Sequence, residues 1–192
     1  MIFPGIAKHI YQMIINFVQK IYALCSIINI MEEKKKLVVG WFSFTCCEDS
    51  TILLTELLND HLDEWKKLVE FRYIRPLKTK NSIEGLDVAF IEGAVSSEKQ
   101  AEEVKKIREN AKYVVAIGSC ACTGMPSASR NSFTEDMISE RISWYMNNFD
   151  YGKKVQKLDE VIKVDDYVAG CPMGVQAFMD ALNKYLKLFG IV

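Results

Sequence analysis

Histidine is nearly missing from this chain: His9 and His61 are the only two in 192 residues. That leaves little for imidazole-rich metal chemistry or a histidine-based catalytic triad. Charge imbalance is also lacking. With 24 basic and 25 acidic side chains, a net charge of −1, the chain has none of the basic surplus that holds a protein on phosphate backbones, and no nucleic-acid partner is expected. There are no internal repeats and no Pro/Gly/Ser-rich linker. Long uncharged runs are absent too. Ile10 to Met31 is apolar, but Lys20 divides it into two stretches, each shorter than the roughly 18–20 residues a spanning helix wants. No basic leader precedes a compact apolar run and a small-residue cleavage site, so a secretory signal is also disfavoured.

What the chain has is apolar mass and thiols. At 49% hydrophobic residues it can bury a proper core, and its length fits one domain of ordinary size with a short extension. Cysteine is the residue in surplus: Cys25, Cys46, Cys47, Cys120, Cys122 and Cys171. Secreted disulfide scaffolds are usually short and cysteine-dense, whereas this chain is large enough to fold without staples. A reducing, cytoplasmic compartment is the expectation. Taken singly, each thiol also reads as a small buried hydrophobe.

In the first thirty residues Gln12, Asn16, Gln19, Lys20, Ser26 and Asn29 recur at helical spacing and make a narrow polar stripe. Three readings stand: a helix on a partner or a membrane surface, a helix covering part of its own domain, and an extension outside the functional unit. Membrane association through this helix is not favoured. Met31, followed by Glu32, Glu33 and three lysines, reads as a natural start before a first strand. The expected division is a helical extension over 1–31 and a functional domain over 32–192.

Beyond it, strand and helix signals alternate. Leu37 to Phe44, Val69 to Ile74, Leu86 to Glu92 and Tyr113 to Ile117 are short, β-branched or aromatic runs that predict strands, and an extended stretch is expected between Val161 and Ala169. Helical patterns cover Ser50 to about Leu68, Ser96 to Asn110 and Glu135 to Phe149. Pro172 is read as opening a closing helix that runs to about Leu188. This order predicts an α/β fold, a flavodoxin-like doubly wound and mainly parallel sheet with helices on both faces.

In such a sheet, sites form outside the carboxyl ends of the strands, and the cysteines fall there. Cys46 and Cys47 follow the first strand, Cys120 follows Tyr113–Ile117 within Gly118-Ser-Cys-Ala-Cys-Thr-Gly124, and Cys171 lies in Gly170-Cys-Pro172. Four thiols can meet there. Structural zinc usually takes C-x₂₋₄-C pairs, which adjacent Cys46 and Cys47 and the Cys120-Ala-Cys122 spacing do not supply. An iron–sulfur cubane is larger and can be held by thiolates on separate loops. Glycines beside the later cysteines would let main-chain amides approach anionic sulfur. The cluster is therefore ranked above zinc.

At these residues the chain resembles the small, proximal-cluster subunit shared by nickel–iron hydrogenases and respiratory complex I, from about Lys36 to the C-terminus. Three motifs carry the resemblance: the cysteine pair after the first strand, Gly118-Ser-Cys120-Ala with Gly124 behind, and Gly170-Cys171-Pro172. It implies a flavodoxin-like domain binding one 4Fe-4S cluster beside a hydrogenase-type large subunit and other redox subunits, with Cys46, Cys47, Cys120 and Cys171 as ligands. Many hydrogenase small subunits have Cys-x-x-Cys at the first motif, where Phe44 and Cys47 stand here. Cys46 must then supply the missing sulfur, giving the adjacent pair typical of the complex I subunit. Met125 stands where a second glycine is common and Met173 where a second proline is common, while Glu92-Gly-Ala-Val95 looks more like the hydrogenase branch. The chain ends at Val192 without the further-cluster region of longer hydrogenase small subunits, so one cluster is expected.

The resemblance implies an electron-transfer subunit with no catalytic residue of its own, the catalytic centre lying on a partner chain. The alternatives are a complex I-like module passing electrons towards quinone, and a flavodoxin-like FMN carrier or binding module with structural cysteines. Glu48 and Asp49 are read either as proton-relaying or potential-steering groups or as solvated acids at a helix start. Cys122 is read as a small packed residue rather than a spare thiol, and Cys25 as lying outside the domain.

Overall fold

The computed structural model describes residues 16, 19–20, 35–134, 137–138 and 140–192. The chain divides into two units, Met1–Lys35 and Lys36–Val192. In the first, Asn16, Gln19 and Lys20 are helical and exposed; the remaining expectations for residues 1–31, Cys25 included, lie outside the described residues. No described helix is long and apolar enough to cross a membrane.

The second unit alternates strand and helix: β1 (Leu37–Ser43), α1 (Asp49–Leu68), β2 (Val69–Ile74), β3 (Leu86–Glu92), α2 (Glu98–Asn110), β4 (Ala111–Ile117), α3 (Gly118–Thr123), α4 (Glu140–Asn148), β5 (Asp166–Val168) and α5 (Val175–Leu188). The five strands form one sheet in the order β2-β1-β3-β4-β5, and every strand pair in it is parallel. This is the flavodoxin-like doubly wound order. The chain leaves β1 to one side and returns on the other, so the crevice above β1 and β3 is the switch point.

Strand periodicity sorts the core into two layers. Val88 and Phe90 of β3 and Val115 and Ile117 of β4 pack with α1 and α5 on one face. Ala89 and Ile91, with Val114 and Ala116, pack with α2 and the 158–162 segment on the other. Residues i and i+2 share a face of a strand, and burial on both faces explains why these strands read as continuous apolar runs. Helix α1 buries Leu54, Leu57, Leu58 and Trp65, the three- and four-residue spacing of one helical face. His61 stacks on Trp65, ring centroids 5.4 Å apart, so it serves packing. Helix α2 starts where Ser97 Oγ accepts the Gln100 amide at 3.2 Å and Gln100 Oε1 accepts the Ser96 amide at 2.8 Å, a reciprocal cap.

The structure narrows the sequence reading at two places and corrects it at two more. The last strand, Asp166–Val168, lies within the expected extended stretch, and residues 158–160 before that stretch form a 3₁₀ turn. Pro172 does not open the closing helix. An antiparallel bridge of Gly170 with Met173 and a bond from the Gly174 amide to the Ala169 carbonyl (3.1 Å) hold it in a tight turn, so α5 begins at Val175. Residues 118–123 form a short helix that small residues without apolar period did not announce. The helix expected over 135–149 is described as Glu140–Asn148.

Gly93 joins this fold to its upper edge. Its φ is +95°, and a Cβ there would lie 2.8 Å from the Phe44 carbonyl carbon and 2.9 Å from the Thr45 nitrogen. Gly93→Ala is therefore expected to lower the unfolding free energy by about 2 kcal/mol or more, measured by urea denaturation. An unchanged midpoint would show that the β1 and β3 loops tolerate separation.

Candidate iron–sulfur site

Backbone hydrogen bonds tie three loops together at the carboxyl edge of the sheet. After β1, the Phe44 amide donates to the Glu92 carbonyl at 2.9 Å, and Thr45 and Ala94 exchange amide–carbonyl bonds at 3.0 Å each. This fixes the segment bearing Cys46 and Cys47 to the end of β3. Glu48 then takes a left-handed conformation (φ 63°), and α1 starts at Asp49. After β4, the Ser119 amide donates to the Gly170 carbonyl at 2.7 Å, joining the Cys120 loop to the Cys171 loop.

Glu92 organises the centre of this edge. It is 3% exposed, and its carboxylate accepts the amides of Ser50 (3.0 Å) and Thr51 (3.1 Å) and the Thr51 hydroxyl (2.6 Å). The orphan donors of the α1 N-terminus and the helix dipole favour an anion there. Thr51 Oγ1 in turn accepts the Trp41 indole N–H at 2.8 Å. Ser50 Oγ accepts the Met173 amide at 3.2 Å, so the same helix start reaches the Cys171 loop.

Cys46, Cys47, Cys120 and Cys171 all line one small cavity, together with Asp49, Ser50, Glu92, Gly118, Ser119 and Gly170. Cys120 is buried and Cys46 half-buried, while Cys47 and Cys171 are exposed. Sulfur of Cys47, sulfur of Cys171 and a carboxylate oxygen of Asp49 lie within 4.8 Å of one another. Cys122, two residues from Cys120, turns away. Its sulfur contacts the Ala116 carbonyl at 3.6 Å and, half-buried, packs against the α2-side core, as a small packed residue would. Glu48 is exposed and accepts the Ser43 hydroxyl at 3.0 Å; Asp49 is exposed in the first turn of α1, and an acid suits that end of a helix.

The donor set fits a thiolate-bound iron–sulfur cluster. Four cysteines from three loops line one cavity with no imidazole among its lining residues, and two of them stand at its open rim, a donor set suited to a thiolate-bound cluster. Burial pushes the Cys46 thiol up to about 11, against the Ser43 hydrogen bond and with help from Glu92. Burial likewise pushes Cys122 up to about 11. At Cys47 the Asp49 amide pulls downward, but the Asp49 carboxyl, desolvation and Cys171 leave the thiol raised. Such sulfurs ionise when cationic metal compensates them, and loading releases protons.

Sequence reasoning found the four cysteines but gave no role in the site to Glu92, which it read as the end of a strand and the start of Glu92-Gly-Ala-Val95. It also missed Ser43 and Ser127, whose hydroxyl oxygens lie 3.5 Å from Cys46 sulfur and 3.3 Å from Cys120 sulfur. An acid closing the apolar run Val88–Ile91 before glycine was the available signal for Glu92; the serines had none. Beyond Thr45 and Ser127 lies a larger cavity of about 370 Å³ lined mainly by apolar side chains of α4 and its flanks, with Arg130 and Lys153 among its walls.

Fold and site together define a flavodoxin-like α/β protein with a thiol-lined site at the switch point of its sheet. The chain belongs to the family described as NADH ubiquinone oxidoreductase, 20 Kd subunit, which it matches over residues 46–185. It is 34% identical over 101 residues to an NADH-quinone oxidoreductase subunit of Aliarcobacter butzleri, covering 51% of this chain and 46% of that protein. It is 30% identical over 146 residues to coenzyme F420 hydrogenase subunit gamma of Methanosarcina barkeri, covering 74% and 49%. The chain thus spans about half the length of these relatives. The fold matches a chain of NAD+-reducing [NiFe]-hydrogenase in the H2-reduced state with a TM-score of 0.66, 22% identity and coverage of 79% and 92%.

Two outcomes follow for the unloaded protein. Iodoacetamide should modify Cys47 and Cys171 well before Cys120 and Cys122, read by peptide mass; equal rates would contradict the burial pattern. Because folding raises the Cys46 and Cys122 thiols from 9.0 to about 11, their stabilising contribution is complete below about pH 9 and is lost towards about pH 11. The urea midpoint should fall across that window, and Cys122→Ala should fall less steeply.

Proposed function

We propose that this chain is the electron-transfer small subunit of a hydrogenase-type oxidoreductase, holding one 4Fe-4S cluster through Cys46, Cys47, Cys120 and Cys171 beside a large catalytic subunit. The observation that carries this reading is the meeting of four thiols from three distant loops on one cavity. The unit that bears them is taken as residues 32–192, with 1–31 an extension to it, and a reducing, cytoplasmic compartment suits unpaired thiols.

A bound cluster takes up and releases one electron at a time. The chain's own residues give it position and environment. Glu92 fixes the helix start beside the cysteine pair, Gly118 and Gly170 allow the backbone to turn tightly around the sulfurs, and the apolar sheet excludes water from behind. Support for a partner comes from the half-open rim and from the exposed rings of Trp144, Tyr145 and Phe149 on and just after α4, which contact one another at 5.2 to 6.0 Å.

A second reading, a complex I-like module passing electrons towards quinone, is favoured by the adjacent Cys46–Cys47 pair and by the Aliarcobacter relative. The FMN carrier reading is weaker, because the cysteine pair occupies the place of a phosphate-cradling loop after β1. A copurifying large subunit with two Cys-x-x-Cys pairs for nickel selects the hydrogenase reading; one without them selects the complex I-like module.

Anaerobically purified protein should be brown, with about four iron and four sulfide per chain. Serine in place of Cys46, Cys47, Cys120 or Cys171 should abolish the paramagnetic signal of the reduced cluster, whereas Cys122→Ser and Cys25→Ser should retain it. A colourless preparation containing zinc would overturn the assignment.

A further inference from the structure

We propose that Ser127 is a positioning residue for the Cys120 sulfur, its hydroxyl turning to donate to that sulfur once Cys120 ligates and thereby raising the reduction potential of the bound cluster. This rests on the cluster reading above and names a residue that tunes the same site.

Ser127 Oγ lies 3.3 Å from Cys120 Sγ and 3.2 Å from the Thr45 carbonyl oxygen. A serine hydroxyl has one proton to donate. With Cys120 as a thiol, the chain of bonds runs in one direction: sulfur donates to Ser127, and Ser127 donates to Thr45. A ligating sulfur has no proton and can only accept, so two acceptors then face one donor. The sulfur wins for two reasons. It carries negative charge, and a charge-assisted hydrogen bond is roughly twice as strong as a neutral one. The Thr45 carbonyl also loses little, because it already accepts the Ala94 amide at 3.0 Å.

The surroundings hold Ser127 in place for this. It opens the 3₁₀ segment Ser127–Ser132, which is anchored through Asn131: its side chain accepts the Val155 amide at 2.8 Å and donates to the Val155 carbonyl at 2.7 Å. Cys120 is 6% exposed, so water competes poorly and the low dielectric strengthens the bond. Ser43 provides a contrast. Its oxygen is farther from its cysteine, 3.5 Å from Cys46 sulfur, and its proton is directed to the Glu48 carboxylate at 3.0 Å, a charged competitor that Ser127 does not face.

Reduction adds one electron to the cluster, supplied by a chemical reductant through mediators in the experiment, and the Ser127 proton remains on its oxygen. A donor to ligand sulfur stabilises the more negative, reduced form. Removing it makes reduction harder.

The test is a redox titration followed by electron spin resonance on the anaerobic holoprotein with its copurifying partner. Ser127→Ala should lower the reduced-to-oxidised ratio at a fixed potential about tenfold, a midpoint about 59 mV more negative for a one-electron couple. Ser127→Thr, which keeps the hydroxyl, should restore the wild-type midpoint. Ser132→Ala, whose hydroxyl is spent on the Ser129 carbonyl at 2.7 Å, should leave it unchanged. In deuterated buffer, the wild-type cluster should show a coupled exchangeable deuteron by electron–nuclear double resonance, and Ser127→Ala should lose it. If Ser127→Ala fails to hold a cluster, the wild-type deuteron and the threonine variant decide. An unshifted midpoint in the alanine variant, or no deuteron specific to Ser127, overturns the proposal while leaving the cluster intact. A wild-type protein without iron and sulfide would overturn the cluster reading itself.

Discussion

A single buried carboxylate sets the conditions for everything at the upper edge of this sheet. Taking an anion out of water is costly unless donors replace the water, and Glu92 is met by two helix-start amides and a hydroxyl. The same bonds determine where α1 begins. From there the order spreads outward through Thr51 to the Trp41 indole in the core and through Ser50 to the Met173 amide. Without this anion the cysteine pair, the helix start and the last loop would have separate anchors and no common reference.

The layout of the thiols follows from topology rather than from proximity in the chain. Parallel strands all end at the same edge, so the connections that carry Cys46, Cys47, Cys120 and Cys171 deliver them to one crevice. The protein needs no knuckle or hairpin to gather four sulfurs. It needs short loops with tight backbone, which Gly93, Gly118 and Gly170 provide at positive φ. Membership of the 20 Kd subunit family fits this economy.

How much of this could be read from residues alone depended on how local the signal was. Strands β2 and β3 were legible to the residue, because runs such as Leu86–Glu92 are buried on both faces and admit few polar side chains. The 118–123 helix was not, since Gly-Ser-Cys-Ala-Cys-Thr offers no apolar period. Pro172 misled because proline at a helix start and proline in a preceding turn look alike in sequence; only the Gly170–Met173 bridge separates them. At the site, cysteines announce themselves by type and by place after strands. Glu92 and Ser127 matter through partners many positions away, and pairings of that kind are created by folding.

The uneven shelter of the four cysteines gives the site a direction. Cys46 and Cys120 sit against hydrocarbon, whereas Cys47 and Cys171 face outward, so a cluster held as proposed would couple to the outside at one rim, with the sheet behind it as insulation. Such a conductor would have a single exposed terminal. Whatever molecule seats on that rim would control both the entry and the exit of charge, and wiring this chain into a new circuit would mean redesigning that contact rather than the domain beneath it.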